Sequence, residues 1–234
     1  MNTALILSGG KGLRLGGEIP KQYIRVEGCL VITYCLKTIM TNSNIDQVVI
    51  VAMEDWHQTI IDEINRHMPD SKPVSFALPG DTRQLSIYNG LNRIREIKGF
   101  AELDTVLIHD AARPFLSDKM INDCYEALEG FDGVMPVLPM KDTVYYSTDG
   151  RRITGLADRS TIFAGQAPEL FNAGRYYDAN TELMPNRIKS INGSSEPAVL
   201  AGMNINMIPG DESNYKITTQ ADLERFIKDL GSAE

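Results

Sequence analysis

A short apolar run that ends at a basic, glycine-rich loop opens the chain and most constrains how it can fold. Residues 4–7 predict a buried strand that stops at this loop. Glycine lets the backbone approach a ligand closely and point several N–H groups at one place, which suits a chain of phosphates. The glycines and cations of the stretch are Gly9, Gly10, Gly12, Arg14 and Lys21. The opening therefore predicts a strand followed by a phosphate-binding loop.

The spacing of the glycines argues against two common phosphate-binding loops. No Gly-Lys-Ser/Thr follows the first glycines, so the loop is not a P-loop. Leu15 stands where a dinucleotide fingerprint requires a third glycine or an alanine. A basic glycine-rich loop closed by Pro20-Lys21-Gln22 is similar instead to the signature of nucleotidyltransferases that bind a nucleoside triphosphate.

The composition is that of an ordinary globular chain and excludes several function classes. The chain has 234 residues and a formal net charge of −8, which argues against non-specific binding of nucleic acid. The cysteines are odd in number and lack metal-ligand spacing, so reduced thiols are expected. No apolar run approaches the ~18 residues of a membrane helix, and no signal peptide precedes the first strand. We therefore expect a cytoplasmic protein with no nucleic-acid or membrane partner.

Strands alternate with helices over the first 140 residues. Continuous apolar runs predict buried strands, and amphipathic segments predict helices on both faces of a mostly parallel sheet. Ligands bind beyond the carboxyl ends of such strands, so the loops after Leu7, Leu78, Ile108 and Leu138 are expected on one rim. The predicted strands cover residues 4–7, 48–52, 74–78, 105–108 and 134–138, and the helices lie near 32–40, 60–64, 85–97 and 121–128.

The alternation stops at residues 141–163. Two β-prone stretches, 143–146 and 152–156, flank Asp149-Gly150, and Asp-Gly is a strong hairpin signal. An isolated two-stranded hairpin is marginal in water, so a second subunit is its expected partner. Residues 1–234 are therefore expected to form one domain with a β-arm for dimerisation. A helix near 172–183, a strand at 205–208 and a closing helix with Leu223, Phe226, Ile227 and Leu230 as its buried stripe are predicted to follow.

The rim loops carry the candidate ligand-binding residues. Gly80 permits close approach to a base or ribose, and Ser86 either reads the ligand or simply stabilises the first helical turn. Asp110 follows the fourth strand, where a carboxylate facing a phosphate site is well placed to hold Mg²⁺. Next to it, we interpret His109 as a structural histidine and Arg113 as a tether of the loop.

Taken in order along the chain, the motifs resemble those of the cytidylyltransferases that act on 2-C-methyl-D-erythritol 4-phosphate and ribitol 5-phosphate. The resemblance covers roughly residues 3 to 230. The motifs are Leu7-Ser8-Gly9-Gly10-Lys11-Gly12, Arg14, Pro20-Lys21-Gln22, Gly80-Asp81-x-Arg83-x-x-Ser86, His109-Asp110-Ala111-Ala112-Arg113-Pro114, Asp142-Thr143, Asp158-Arg159, Gln166-x-Pro168 and Asn214-Tyr215-Lys216-Ile217-Thr218.

The resemblance implies a Rossmann-like nucleotidyltransferase fold, CTP and Mg²⁺ as ligands, release of pyrophosphate, and a homodimer whose hairpin arms embrace. By matching motif positions, Arg14 and Lys21 would stabilise the transition state, Arg159 and Lys216 would position the acceptor phosphate, and Asp110 would lie at the metal. The CTP-binding residues implied are Ser8, Gly9, Gly10, Gly12, Gly80, Asp81, Arg83, Ser86 and Ala111. The acceptor-binding residues implied are Asp142, Thr143, Arg159, Asn192 and Lys216.

The chain departs from the family pattern on the acceptor side. Residues 191–197 replace the usual Thr-Asp-Asp or Thr-Asp-Glu motif, and Glu169 ends what is usually Gln-Thr-Pro-Gln. Methylerythritol phosphate, for isoprenoid precursor synthesis, is the preferred acceptor. Ribitol 5-phosphate is an alternative, as is a phosphonate such as 2-aminoethylphosphonate, whose ammonium Glu169 or Glu196 could pair with. A sugar-1-phosphate nucleotidyltransferase and a non-catalytic nucleotide-binding subunit are the remaining alternatives, and Arg14 and Lys21 argue against the latter.

Overall fold

The apolar runs of the sequence form the strands of a central sheet, and the segments between them form helices. The computed structural model describes residues 1–10, 19–101 and 104–231. Its strands are β1 (Asn2–Leu7), β2 (Arg25–Val26), β3 (Cys29–Leu30), β4 (Gln47–Val51), β5 (Val74–Ala77), β6 (Thr105–Asp110), β7 (Gly133–Pro139), β8 (Tyr145–Tyr146), β9 (Gly155–Leu156), β10 (Phe163–Gly165), β11 (Glu169–Asn172) and β12 (Ile205–Pro209). Its α-helices are α1 (Val31–Thr41), α2 (His57–His67), α3 (Arg83–Lys98), α4 (Asp118–Glu126), α5 (Ala173–Thr181), α6 (Glu196–Leu200) and α7 (Gln220–Gly231).

The central sheet is mostly parallel, as predicted. Its strand order is β10-β7-β11-β6-β1-β4-β5, and β12 also pairs with β7. The pairs β1·β4, β1·β6, β4·β5 and β7·β12 are parallel, whereas β11 runs antiparallel to both β6 and β7. The carboxyl ends of β1, β4, β5 and β6 consequently lie along one edge of the sheet.

Both faces of the sheet are covered by helices, which explains why the strands are apolar at successive positions. In β1, Ala4 and Ile6 pack against a cluster that contains residues of α1, α2 and α4, whereas Leu5 packs on the opposite face against α3 and α5. Gly90 brings α3 onto the sheet, because a Cβ at this position would lie 2.3 Å from a methyl group of Leu5. The expected α/β layering is therefore confirmed.

Two predicted helix stripes are only partly correct. The repeat of Leu85, Tyr88, Leu91, Ile94 and Ile97 predicts the buried stripe of α3. Leu91 and Ile94 are buried, but Ile97 is exposed and Ile87 belongs to the buried face. In α7, Leu223 and Phe226 are buried, whereas Ile227 is exposed. Ile97 lies in the last turn of α3, where the layer beneath the helix ends. Ile227 lies at the edge of the α7 stripe, since Leu230, further along the helix, still packs against the cluster that contains Leu223 and Phe226.

The predicted arm forms a hairpin shorter than its sequence signal. Tyr145 pairs with Leu156 and Tyr146 with Gly155, so residues 147–154 form a wider turn. Asp149 fixes this turn by accepting hydrogen bonds from the N–H groups of Arg151 and Arg152. The hairpin exposes four large apolar side chains, Tyr145, Tyr146, Ile153 and Leu156.

Among the described residues, no helix is both long enough and apolar enough to cross a bilayer.

Candidate active site

A cleft of about 740 Å³ opens at the carboxyl ends of β1, β5 and β6. Three of the four rim loops meet here, as expected for a sheet of this kind. The predicted ligand-binding residues that line it are Gly9, Gly10, Lys21, Gly80, Asp81, Arg83, Ser86, Asp110 and Lys216. The cleft thus gathers residues from the beginning, the middle and the end of the chain.

Two further predicted residues lie just beneath the cleft. Ser8 is 2% exposed, and its hydroxyl donates to the Tyr23 hydroxyl at 2.8 Å. Ala111 is also buried, and its N–H donates to the Leu7 carbonyl oxygen at 3.1 Å. In this structure both residues support the ends of β1 and β6 and do not line the cleft.

The loop after β5 is fixed by the first turn of α3. The Gly80 N–H donates to Ser86 Oγ at 3.0 Å, and Ser86 Oγ donates to the Thr82 carbonyl oxygen at 2.9 Å. A Cβ on Gly80 would lie 2.4 Å from Leu85 Cβ, so only glycine fits this close to the helix. Thr82, not Ser86, caps the helix, since Thr82 Oγ1 accepts from the Leu85 N–H. Ser86 therefore shapes the loop and also faces the cleft.

Asp110 is the electrostatic centre of the cleft. Its carboxylate accepts from Lys216 Nζ at 2.9 Å and from Arg83 Nη2 at 3.2 Å, and Arg113 Nε lies 3.8 Å away. Burial alone would raise the pKa of this carboxyl, but Arg83, Lys216 and Arg113 hold the pKa well below its usual range. Asp110 is therefore ionised at neutral pH and aligns three cations in a protein whose net charge is negative.

Glu169 is a second carboxyl near these cations. It lies opposite Ile108 in the β6·β11 pair, on the same side of the sheet as Asp110 because side chains alternate along a strand. Burial raises the pKa of Glu169. Its Oε1 accepts from the Ser194 hydroxyl, and among the described residues its Oε2 has no hydrogen-bond partner.

His109 is buried with its side chain bonded to backbone. Its Nε2 donates to the Arg113 carbonyl oxygen at 3.0 Å, which places the ring proton on Nε2 in the neutral form. Burial lowers the pKa of His109 to about 4. The structural interpretation of this histidine agrees with these contacts.

The loop that carries Lys216 is held by Arg113, for which the sequence predicted a tethering role, and by Gln166 and Asn214, for which it predicted no role of their own. Gln166 Nε2 donates to the Asp211 carbonyl oxygen at 2.8 Å, and Gln166 Oε1 accepts from the Asp211 N–H at 3.0 Å. Arg113 Nη1 donates to the Asn214 carbonyl oxygen at 2.7 Å, and Asn214 Nδ2 donates to the Ala167 carbonyl oxygen. The only sequence signal for this support is that Gln166 and Asn214 belong to the family motifs Gln166-x-Pro168 and Asn214-Tyr215-Lys216-Ile217-Thr218.

A second cleft, of about 480 Å³, adjoins the first. Lys216 lines both clefts, and Arg113, Lys141 and Gln166 line the second. The loop after Leu138 opens here and not in the first cleft, so the expected common rim is divided into two adjoining spaces. Because they share one lysine, a molecule bound in one cleft lies close to a molecule bound in the other.

Comparison with known proteins identifies the family. The model of the family described as IspD, 2-C-methyl-D-erythritol 4-phosphate cytidylyltransferase, matches residues 3–227. The chain belongs to this family. It is 32% identical to the 2-C-methyl-D-erythritol 4-phosphate cytidylyltransferase of Clostridium beijerinckii, over 98% of this chain and 100% of that one. It is 30% identical to the ribitol-5-phosphate cytidylyltransferase of Lactiplantibacillus plantarum, over 95% of each chain.

Solved structures agree with this cytidylyltransferase assignment. The 4-diphosphocytidyl-2C-methyl-D-erythritol synthase of Anaerococcus prevotii superimposes with a TM-score of 0.82 at 25% sequence identity, over 98% of this chain and 96% of that one. The predicted fold class and enzyme class are therefore confirmed: the chain is a cytidylyltransferase of the IspD family, a class of enzyme that uses CTP.

Several implied residues of this cytidylyltransferase either fall outside the described residues or are not part of the cleft linings that the structure describes. Gly12 and Arg14 fall outside the described residues. The remaining four, Asp142, Thr143, Arg159 and Asn192, are absent from the described lining of either cleft. Within its own chain, Arg159 Nη1 donates to the Lys141 carbonyl oxygen at 2.6 Å, and the Asn192 N–H donates to Glu196. The acceptor roles of all four stay predictions.

Proposed function

We propose that the chain transfers CMP from CTP to 2-C-methyl-D-erythritol 4-phosphate and releases pyrophosphate, as a step of isoprenoid precursor synthesis. The observation that carries this proposal is the meeting of the glycine-rich loop, the Gly80 loop and the Asp110–Lys216 pair in one cleft. The names and the coverage of the related enzymes support the same reaction. We place the reaction in the cytoplasm, where the free thiols of Cys29, Cys35 and Cys124 stay reduced.

The chemistry that this arrangement supports is charge neutralisation and alignment. A phosphate monoester is already a competent nucleophile, so its oxygen can attack the α-phosphorus of CTP without a general base while pyrophosphate leaves in line. Both substrates are anions, and cations fixed in advance lower the energy of the transition state. Lys21, with Arg14, stabilises the charge that develops at the α-phosphorus, and Lys216 positions the acceptor phosphate.

Lys216 is suited to hold an acceptor between the two clefts. Its side chain is 32% exposed even though it pairs with Asp110, so an anion can approach the ammonium from the open side. The second cleft lies directly beyond it and also presents Arg113. We therefore place CTP in the larger cleft and the acceptor in the smaller one.

Magnesium belongs to the same proposal. The described residues contain no group of three or more metal-ligating side chains, but Mg²⁺ is commonly held by one or two carboxylates together with substrate phosphates and water. Asp110, at the floor of the cleft, fits that pattern. When bound, the ion would neutralise charge on the triphosphate. Asp110→Asn should raise the Mg²⁺ concentration needed for half-maximal activity, and an unchanged dependence would place the ion elsewhere.

We further propose a homodimer joined through the arms. The arm (residues 141–163) carries five exposed large apolar side chains, three of them at 60–69% exposure, although a two-stranded hairpin has little support of its own. Exposed apolar patches of this kind are typical of interaction sites. In an arm-exchanged dimer with two-fold symmetry, Arg159 would reach the acceptor of the partner subunit.

Ribitol 5-phosphate is the second candidate acceptor, favoured by the relative from Lactiplantibacillus plantarum. The phosphonate alternative gains no support from its two glutamates. Glu196 accepts from the N–H groups of Asn192 and Gly193, and Glu169 is buried against Ser194. In the described structure neither carboxylate lines a cleft from which it could meet an ammonium group.

Pyrophosphate release tests the proposal. The assay offers CTP, UTP or ATP with each of the three acceptors, and turnover should require CTP and be fastest with methylerythritol phosphate. Lys216→Ala should raise the acceptor KM and lower kcat, whereas Lys119→Ala, which removes an exposed lysine paired with Asp123 on α4, should change neither. Equal turnover with UTP or ATP would contradict the nucleotide assignment, and turnover only with ribitol 5-phosphate would replace the preferred acceptor.

A further inference from the structure

Gln22 connects the two phosphate-facing elements at the start of the chain. Its side chain is buried, and its amide nitrogen donates to the Ser8 carbonyl oxygen at 2.7 Å and to the Gly10 carbonyl oxygen at 2.9 Å. A side-chain amide nitrogen has two hydrogens, so both are used on the glycine loop. Gln22 itself follows Lys21 in the short 3₁₀ helix Lys21–Tyr23.

These two bonds set the direction of the loop backbone. In a trans peptide, the carbonyl group and the following N–H point in opposite directions. Because the Ser8 carbonyl points at Gln22, the Gly9 N–H points away from it. On another side the loop is limited by Pro79, whose Cβ would lie 2.4 Å from a Cβ on Gly9. Residues 8–10, the part of the loop that the structure describes, are thus fixed between Gln22 and Pro79.

Tyr23 reinforces the same contact. Its hydroxyl accepts from Ser8 Oγ at 2.8 Å and donates to the Ser8 carbonyl oxygen at 3.0 Å. Its ring stacks on Trp56 with the ring centroids 4.1 Å apart. Burial raises the pKa of Tyr23 to about 12, so the hydroxyl keeps the proton that it donates.

We propose that Gln22 is a positioning residue that holds the glycine loop and Lys21 together as one rigid unit. In this unit the loop N–H groups and the lysine ammonium contact the same triphosphate. The inference rests on the proposed function. Groups fixed before the reaction stabilise developing charge without reorganisation, and a displacement of about 1 Å can cost 10²-fold in rate. Gln22 touches no reacting atom and acts through the elements that it joins.

The test replaces Gln22 with methionine, which has a similar length and shape and no donor. The control is Gln47→Met: Gln47 is also buried and donates to Thr3 Oγ1 at 3.0 Å, but it lies at the amino end of β4, away from the cleft. Both variants should lose similar thermal stability. Only Gln22→Met should lower kcat, by about tenfold or more, with a much smaller change in CTP KM.

Two further measurements separate positioning from general destabilisation. Amide exchange of residues 8–10 should become about tenfold faster in Gln22→Met than in Gln47→Met, and equal exchange in the two variants would overturn the positioning role whatever the activity. In a Lys21→Ala background, adding Gln22→Met should lower kcat by clearly less than it does in the wild-type background, because one of the two elements that Gln22 joins has lost its functional group. A full tenfold further loss would overturn the link to Lys21.

These outcomes are distinct from a failure of the proposed function. That failure would appear in the wild-type enzyme as absent pyrophosphate release, or as an unchanged kcat in Lys21→Ala. Amide exchange needs no turnover, so it would still decide whether Gln22 holds the loop.

Discussion

Several single side chains of this molecule act by holding charged groups or backbone groups in place. Asp110 is the clearest case, because it contacts Lys216, which is 106 positions away in sequence, and Arg83 from the helix on the opposite side of the cleft. A carboxylate shared in this way fixes long, flexible cationic side chains before substrate arrives. Its low pKa keeps the pairing intact throughout the neutral range.

Ser86 allows a test at this scale. Ser86→Ala removes the acceptor for the Gly80 N–H and leaves that group unsatisfied at the cleft wall. The loss of a bond worth about 1 kcal/mol should raise the CTP KM by about fivefold and change kcat little. Steady-state kinetics with varied CTP measures it.

The matched control is Ser117→Ala, which removes the cap of α4, where Ser117 accepts from the Met120 N–H. It should cost a similar amount of stability without raising the CTP KM. If both variants raised it equally, Ser86 would have no specific role in the nucleotide loop.

At the scale of elements, the hairpin β2–β3 follows the 3₁₀ helix Lys21–Tyr23 and is anchored by the carboxylate of Glu63. Glu63 of α2 is buried and accepts from Arg25 Nη2 at 2.6 Å, from Thr33 Oγ1 at 3.1 Å and from the Leu30 N–H at 3.3 Å. Burial opposes ionisation, but these hydrogen bonds and Arg25 lower the pKa of Glu63. The anchor thus joins the hairpin, α1 and α2.

Glu63→Gln should lower the free energy of unfolding by about 2 kcal/mol at pH 7, the scale of hydrogen bonds to a charged group. Because the folded-state pKa is lowered, this contribution is complete above the unfolded pKa of about 4.3 and is lost as the pH falls through the folded value. Urea unfolding at pH 7 and at pH 3 should show the difference between variant and wild type shrinking.

Glu96→Gln, which removes a partner of the exposed Arg93–Glu96 pair, should cost less than about 0.5 kcal/mol at either pH. If Glu63→Gln lowered the free energy of unfolding as little as this control does, water would be an adequate replacement for the hydrogen bonds of Glu63.

The strands of the central sheet that the sequence predicts most directly are those that pack against other elements on both faces. β1, β4, β5, β6 and β7 follow this rule, and their apolar runs are visible without any knowledge of the fold. β10 and β11 were not predicted, because each has only three or four residues and they flank Pro168. β2, β3 and α6 are similarly too short to show a period.

The site was predictable in its composition but not in its contacts. Glycine loops and strand-end residues indicate a rim, so Gly80, Asp110 and the first loop could be placed together. The Asp110–Lys216 pair and the support of the Lys216 loop by Gln166 depend on chain reversals that no local pattern encodes. Motif resemblance alone drew attention to them.

At the scale of the whole molecule, the arm decides whether one chain is sufficient. Arg159 lies just beyond β9, and its guanidinium donates to the carbonyl oxygen of Lys141, which lines the second cleft, although Arg159 is absent from the described lining of either cleft. If the arms are exchanged between two subunits, the Arg159 that meets each acceptor phosphate comes from the partner. The number of chains is then a property of the catalytic site.

Mixed dimers of Lys21→Ala and Arg159→Ala subunits test whether Arg159 acts in the site of the partner subunit. Each parent should be nearly inactive, but in an arm-exchanged heterodimer one of the two sites has both wild-type residues. With random pairing, activity should recover to about a quarter of the wild-type value. Pyrophosphate release after co-refolding provides the measurement, with heterodimers verified by two different affinity tags.

Remixing each variant with itself is the control and should restore nothing. Heterodimers that form but stay inactive would show that Arg159 serves its own subunit or has no catalytic role.

The antiparallel strand β11 is synthesised after both of the strands that it pairs with. Leu170 pairs with Leu107 of β6 and with Val134 of β7, so a nascent chain that has just completed β7 holds both neighbours of a strand not yet made. Their facing edges stay unpaired until the arm and β11 have left the ribosome, and open edges are templates for aggregation. The arm therefore leaves the ribosome before β11 can fill the position between β6 and β7 in the sheet of its own subunit.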